Sequence, residues 1–416
     1  MRSDIVLLAT LLAATQLCAQ TAPDTSASLQ KDALNVFLDC NYWCDFDYIR
    51  TEIPYVNYVR DRKEAQVHVL ITTQPTGSGG NENTLNFLGQ HNFAGLNDTL
   101  RYVSLQTDTD DAIRKGLVRA LNLGLVRYVS KTPFIEHITV TYDKPKTASK
   151  VVDKWNYWVF SLSANGFFNG EKSAKYSSLY GTFSAQRVTS ALKINVRLYG
   201  NYNESSFDFG ERTISSFSRS KGMSALVVKS LGEHWSLGGR GNFSSSTFSN
   251  IKSAARVSSA LEYNSFPYSQ STRRQFRFLY ELGWNCDRYT EITIYDKNVE
   301  ALFNESLTLT LESKQPWGSI EASLEGSHYL HDFSKNRLEL YSQLSLQFFK
   351  GISFELYGSF SFIHDQLSLP KGGATDEEIL LQRKQLETQY QYFGSMGISY
   401  TFGSIYNNVV NPRFGN

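Results

Sequence analysis

From Asn336 to Ile363 the chain alternates apolar and polar residues almost without interruption. Leu338, Leu340, Leu344, Leu346 and Phe348 share one parity, with Ser342 among them, and Glu339, Tyr341, Gln343, Ser345 and Gln347 hold the other. After a two-residue turn at Lys350-Gly351 the alternation resumes, with Ile352, Phe354, Leu356, Gly358, Phe360 and Phe362 opposed to Ser353, Glu355, Tyr357, Ser359 and Ser361. Successive side chains of a strand point to opposite faces, so this period predicts a hairpin with one apolar and one polar face. One such hairpin would suit a soluble sandwich equally well. The pattern recurs, however, in strands expected near 155–168, 174–188, 191–203, 222–231, 235–247, 251–264, 270–285, 298–313, 317–329, 336–349, 351–363 and 388–402. Their apolar face reads as rich in Leu, Phe and Tyr and free of charge. A face turned to lipid and a face turned to a lumen produce this pattern. The expected fold of 155–402 is therefore an all-β transmembrane barrel, up-and-down, of about twelve antiparallel strands, the even count of single-chain bacterial barrels.

The loops support that reading. Glu204 to Lys221, Cys286 to Lys297 and Asp365 to Glu387 are long, and all fall at one end. Thr189-Ser190, Leu231 to His234, Gln315 to Gly318 and Lys350-Gly351 are tight and fall at the other. Outer-membrane barrels show this asymmetry, with short periplasmic turns and long outer loops. The tail 403–416, Asn-rich and holding Pro412, reads as an irregular periplasmic extension.

Ahead of the barrel the pattern is mixed. Asn35 to Leu38, Ala65 to Thr73, Asn83 to Gly89 and Thr99 to Gln106 read as strands, and Asp45 to Ile53 as a short helix closed by Pro54. A longer helix begins at Asp108 and Asp110, where acidic residues suit the helix dipole, and carries Ile113, Leu117, Leu121, Leu125 and Tyr128 on one stripe. Residues 31–143 thus form an α+β domain, joined to the barrel by the basic linker 144–154. Met1 to Ala19, with Arg2 and then the apolar run Ile5 to Ala14, resembles a secretory signal, and 20–30 is a polar leader. The compartment implied is the periplasm and outer membrane of a diderm bacterium.

Composition narrows the partners. Lys+Arg 41 against Asp+Glu 40 leaves no field to attract nucleic acid. Mean hydropathy is −0.33, which a barrel accommodates because half of every strand is polar. The 24 Tyr, 27 Phe and 6 Trp are enough to furnish aromatic girdles at two membrane interfaces. The partners expected are outer-membrane lipid and lipopolysaccharide, and a periplasmic protein bound through 31–143.

A Lys or Arg on a lipid face at mid-membrane costs about 2–4 kcal/mol. By that argument Lys193, Arg197, Arg240, Arg256, Glu262, Arg277, Glu281, Glu321, Glu325, Glu339 and Glu355 point into the lumen. So many long charges of both signs favour a lumen filled by ion pairs over a conducting one, with a narrow polar pathway as the alternative.

Candidate chemistry elsewhere is thin. Cys40 and Cys44 flank Asn41-Tyr42-Trp43, and in an oxidising compartment a local disulfide outranks a metal site, which would need further ligands. Cys286 stands alone at a strand end. Asp108 to Asp111 lacks the glycine and distal glutamate of a calcium loop. Ser327 and His328 fall on opposite faces of a strand, which spoils them as a nucleophile and base. No Gly-x-Ser-x-Gly, His-Glu-x-x-His or phosphate-loop pattern occurs. No enzyme, cofactor or metal is expected.

The run Phe37 to Cys40, Cys44 to Arg50 and Tyr55 to Arg62, with Val67 to Gln74 and the terminal Tyr400 to Phe414, resembles an uncharacterised family of bacterial outer-membrane β-barrel proteins with an N-terminal periplasmic α/β domain. The resemblance covers nearly the whole mature chain and carries no catalytic residue across. The α/β element order is also similar, at fold level alone, to periplasmic domains of curli-pore-like and TolB-like proteins. The role expected is non-enzymatic: a barrel that anchors the N-terminal domain, passes small polar solutes, or does both. Its rivals are a surface binder using loops such as Phe207 to Phe209 or Asp376 to Glu378, and an outer-membrane hydrolase.

Overall fold

The computed structural model describes residues 33–40, 44–139, 141, 153–208, 210, 212–349, 351–372, 385–404, 406, 408 and 413. The expected signal, the leader and nearly all of the linker lie outside them.

The N-terminal unit comprises β1 (Asn35–Cys40), α1 (Phe46–Glu52), β2 (Asn57–Tyr58), β3 (Val67–Pro75), β4 (Asn81–Gly89), β5 (Asn97–Ser104) and α2 (Asp110–Val129). Its five strands form one sheet in the order β2-β1-β3-β4-β5. The β1 strand runs parallel to β2 and β3, while β3, β4 and β5 are antiparallel. The α2 helix starts where Thr109 accepts a hydrogen bond from the Ala112 N–H at 3.3 Å and Asp110 and Asp111 occupy the first turn. It buries Leu117, Leu121, Leu125 and Tyr128 in one cluster with Val69, Ile71, Leu85 and Phe87 of the sheet. Contact is close enough that a Cβ on Gly124 would lie 2.0 Å from Phe87 Cζ. Helix and sheet can approach this far only with glycine there.

Three tyrosines bind this unit together through buried hydroxyls. Tyr55 donates to Asn122 Oδ1 at 2.6 Å, Tyr58 to the Ile53 carbonyl at 3.0 Å and Tyr128 to the Leu96 carbonyl at 2.7 Å. Burial disfavours the phenolate, raising all three and pushing Tyr55 and Tyr128 up to about 12. An unfolded tyrosine ionises near 10, so above that pH the unfolded chain releases protons that the folded unit retains. Stability from these groups is complete below pH ~10 and falls as pH rises toward ~12. Alkaline titration at 295 nm should show delayed tyrosines whose ionisation coincides with loss of the α/β circular-dichroism signal. Ionisation of every tyrosine near pH 10 with the fold intact would contradict this.

The second sheet has twelve strands, all antiparallel to their neighbours. They are β6 (Trp158–Gly170), β7 (Ala174–Val188), β8 (Leu192–Asp208), β9 (Thr213–Ser230), β10 (Trp235–Ser246), β11 (Ile251–Asn264), β12 (Arg274–Tyr289), β13 (Val299–Gln315), β14 (Gly318–Tyr329), β15 (Asp332–Phe349), β16 (Ile352–Ile363) and β17 (Tyr390–Tyr400). Each hydrogen-bonds to the strands next to it in the chain. Residues paired across a ladder share a face, so the register carries one face through the whole sheet. One row runs Leu340–Phe360–Tyr392 in one direction and Leu324–Leu309–Phe278–Tyr263–Trp235 in the other. Farther along, Ile194, Val196 and Leu198 of β8 continue the same face opposite Val227, Ala225 and Met223.

Three expectations need correction, and the one on the tail gains a contact. First, no ladder joins β17 to β6 among the described residues, so the sheet is open where a closed barrel was expected. Every ladder in this twelve-stranded sheet joins strands adjacent in sequence, whereas closure would join the first to the last, at the largest loop-entropy cost in the sheet. Second, Glu204 to Lys221 is not a loop, because β8 and β9 stay paired out to Asp208 and Thr213. Serines on both faces hide the period there but leave the backbone free to pair. The β12 strand likewise runs past Cys286 to Tyr289. Third, the tail, expected as an irregular extension, is irregular where it is described and is tied to the N-terminal unit. An antiparallel bridge joins Val59 to Tyr406, and Asn408 accepts from the Tyr58 N–H at 2.6 Å, satisfying edge groups that β2 leaves open. Fourth, the apolar face is not charge-free. Arg187, Lys229 and Arg274 sit on it near the tight turns, Glu204 and Arg219 toward the other end, Lys221 at the middle of β9, and Glu305 faces His328 across a 3.0 Å contact.

Candidate functional site

The register places all the charges singled out above on one face. Lys193 and Arg197 of β8 share it with Arg240 of β10, Arg256 and Glu262 of β11, and Arg277 and Glu281 of β12. Glu321 and Glu325 of β14, Glu339 of β15 and Glu355 of β16 continue it. This face is concave. A single cavity of about 790 Å³ is lined by Gln186 of β7 and Ser306 of β13 together. Those strands are six ladders apart, roughly 29 Å along a flat sheet at about 4.8 Å per strand. Only curvature with the polar face inward brings them to one cavity.

Ion pairs thread the middle of this face. Arg240 Nε lies 3.2 Å from Glu281, Arg256 lies 3.7 Å from Asp287, and Arg277 bridges Glu262 at 3.8 Å and Glu312 at 3.4 Å. Arg337 joins Glu339 and Asp365, each at 2.9 Å. Glu325 accepts from the Thr308 hydroxyl at 3.3 Å. Lys193, Arg197, Glu321 and Glu355 make no ion pair among the described residues. Asp287, Glu312, Arg337 and Asp365 were not singled out from sequence. Parity alone marks Glu312 and Arg337 as polar-face residues, but naming their partners requires the cross-strand register.

The charge is unevenly spread. Basic residues dominate from β8 to β11, and carboxylates from β13 to β16, where Glu312 stands opposite Glu321 and Glu325 opposite Glu339. Like charges directly opposed across a ladder are unfavourable, so this half depends on its few cations or on water to screen them. At the long-loop end, 364–372 folds back across the opening. Asn250 donates to the Ser368 carbonyl at 2.9 Å and Thr293 bridges to Pro370, placing a segment that follows β16 against loops of β10 to β13.

At the tight-turn end sits the N-terminal unit. Arg62 donates to the Pro316 carbonyl and, at 2.9 Å, to that of Gln347. Arg60 holds the carbonyls of Phe402 and Gly403 at 3.1 and 3.3 Å, and Gln74 reaches Ser271 at 3.3 Å. One small body thus touches strand ends and turns from β11 round to β17, which again requires a curved sheet. Asp39 and Leu70, on the sheet face away from α2, line a chamber of about 510 Å³ with Glu312, Glu321 and Glu355. His68 on the same face is fully buried, its Nε2 3.2 Å from Asp39 Oδ2. Cys40 and Cys44 are joined by a disulfide beside it, and Cys286 is free.

Ser327 falls on the polar face and His328 on the apolar one, where His328 pairs with Glu305, which also accepts from the Tyr280 hydroxyl. The two do not form a nucleophile–base pair. Among the described residues no group of three or more His, Cys, Asp or Glu side chains is arranged to hold a metal.

No family model and no curated protein matches the chain. Among solved structures it is similar to the NanC porin, with 9% identity and a TM-score of 0.29 over 58% of this chain and 99% of that one. It is also similar to the translocator domain of the autotransporter NalP from Neisseria meningitidis, with 11% identity and a TM-score of 0.18 over 59% of this chain and 80% of that one. At such scores neither likeness bears on what this chain does.

Proposed function

We propose that this chain is a non-enzymatic outer-membrane β-barrel protein that passes small polar solutes, with its N-terminal α/β unit seated across the periplasmic mouth. The observation that carries this reading is the separation of faces: apolar side chains on the convex side of twelve curved strands, and most of the mid-strand charge on the concave side, with Lys221 and the Glu305–His328 pair as exceptions. Large apolar groups on the convex face are open to solvent, with Leu162 83% and Ile398 74% exposed. A water-facing sheet would not leave such a band uncovered. In lipid the free edges of β6 and β17 must be satisfied, and pairing them with each other, antiparallel as an even strand count requires, completes a barrel. The cavities along the concave face supply room for solute, and the ion pairs between them leave a narrow path. A loop folded over the opposite mouth, as 364–372 is, suits a gate or filter better than a freely reaching adhesive loop.

The test uses the purified mature chain. It should need detergent to remain monodisperse, and in liposomes it should admit glucose in a swelling assay. A monodisperse protein in plain buffer would refute the membrane reading, and an intact barrel that admits no solute would leave only the anchoring role.

A further inference from the structure

Three arginines of the concave face, Arg197, Arg240 and Arg256, line one cavity of about 790 Å³ in which Glu281 is the single lining carboxylate among the described residues. The remaining polar lining is uncharged and rich in amides, including Asn195, Asn242 and Asn285. Arg240 and Arg256 are each about half exposed, 53% and 52%, although each is also within ion-pair range of a carboxylate. Arg197 has no such partner among the described residues and is exposed. The register sets them close together: Arg197 is opposite Ser224, Ser224 opposite Asn242, and Asn242 opposite Arg256, while Arg240 lies two residues before Asn242. Three guanidinium groups against Glu281 in the lining and Asp287 beside Arg256 leave a surplus of positive charge at the cavity, centred on Arg197, although the chain as a whole carries a net charge of only +1.

We infer that this cavity binds a small organic anion bearing hydroxyl groups, held by its carboxylate or phosphate on Arg197 and Arg240 and by its hydroxyls on the surrounding amides. Guanidinium presents a planar fork of donors that matches either oxyanion, and it stays charged at any relevant pH. Asparagine offers both a donor and an acceptor, as a hydroxyl requires. The volume falls within the range of about 300–1,000 Å³ usual for small-molecule sites. The acidic chamber at the tight-turn end would repel the same ligand. The cavity is thus a binding station along a path whose next section disfavours anions, and residence there should be long enough to measure. This inference rests on the concave face being the inside of the barrel.

Calorimetry on the full chain in detergent, with D-glucuronate, glucose 6-phosphate and glucose as probes, tests it. Both anions should bind, more weakly as salt is raised, and glucose should not. Arg197→Gln should weaken anion binding at least tenfold while heat-modifiable migration is kept, since that side chain has no ion-pair partner to strand among the described residues. Lys229→Gln, on the opposite face, should bind as the parent does. Whichever anion binds tighter identifies carboxylate or phosphate as the preferred group. Equal heats for glucuronate and glucose, or an Arg197→Gln protein that binds like the parent, would overturn the inference. Should glucose still enter proteoliposomes in that case, the solute-passing barrel stands and only the anion site fails; should nothing enter, the solute-passing reading fails with it.

Discussion

Replacing Leu309 by arginine should destabilise the membrane-inserted sheet by about 2–4 kcal/mol, the cost of a basic side chain on a lipid face near mid-membrane. Leu309 sits mid-strand in β13 between Phe278 and Leu324, with Leu307 and Leu311 on the same face. Its neighbour Thr308 points to the other side and stands opposite Glu325, which makes no ion pair among the described residues. Thr308→Arg should therefore be neutral or mildly stabilising. The same residue type one position apart gives a large loss on one face and none on the other, which separates a membrane strand from one buried on both faces. Urea unfolding in lipid vesicles, followed by tryptophan emission and heat-modifiable migration, reads both. Equal destabilisation by the two arginines would show that neither side meets lipid.

Phe87→Ala should cost about 3–5 kcal/mol in the N-terminal unit alone. Phe87 is fully buried, with its ring stacked 6.4 Å from that of Tyr128 and lying under Gly124. Removing it leaves a cavity between α2 and β4 that the helix cannot close without parting the Tyr128 hydroxyl from the Phe87 and Leu96 carbonyls, now at 3.2 and 2.7 Å. A unit of this size has a total stability of roughly 5–15 kcal/mol, so the change brings it near unfolding. The twelve-stranded sheet has its own hydrogen-bond ladders and should persist. Limited proteolysis of the full chain in lipid should then digest the N-terminal unit and leave a protected fragment spanning β6 to β17. Unchanged protection of the unit, or loss of both parts together, would contradict this division.

How much of this was readable in advance depends on which residues carried the signal. Strands such as β15 and β16 were legible because their apolar parity is nearly unbroken, and the facing of Arg240 or Glu355 follows from that parity alone. The outer halves of β8 and β9 were not. From Ser205 to Ser218 small polar residues occupy both faces, and pairing there rests on backbone groups that leave no pattern. The β2 strand is too short, at two residues, to show any period. Its bridge to Tyr406 and the grip of Arg60 and Arg62 on backbone carbonyls depend on positions hundreds of residues apart. The Arg240–Glu281 and Arg337–Asp365 pairs required a register that sequence does not state. The pairing of Glu305 with His328 is hidden for another reason. Each is an isolated polar residue in an apolar row, and only their apposition across β13 and β14 accounts for both.

The measurement closest to the central claim is a lipid-quenching scan through β13. Single cysteines from 306 to 311, placed one at a time in a Cys286→Ser background, would carry a fluorescent label in vesicles containing brominated lipid. Labels at 307, 309 and 311 should be strongly quenched, and those at 306, 308 and 310 should be spared. Quenching that fails to alternate, or that is absent at every position, would contradict a strand with one face on lipid and the other on an enclosed polar interior.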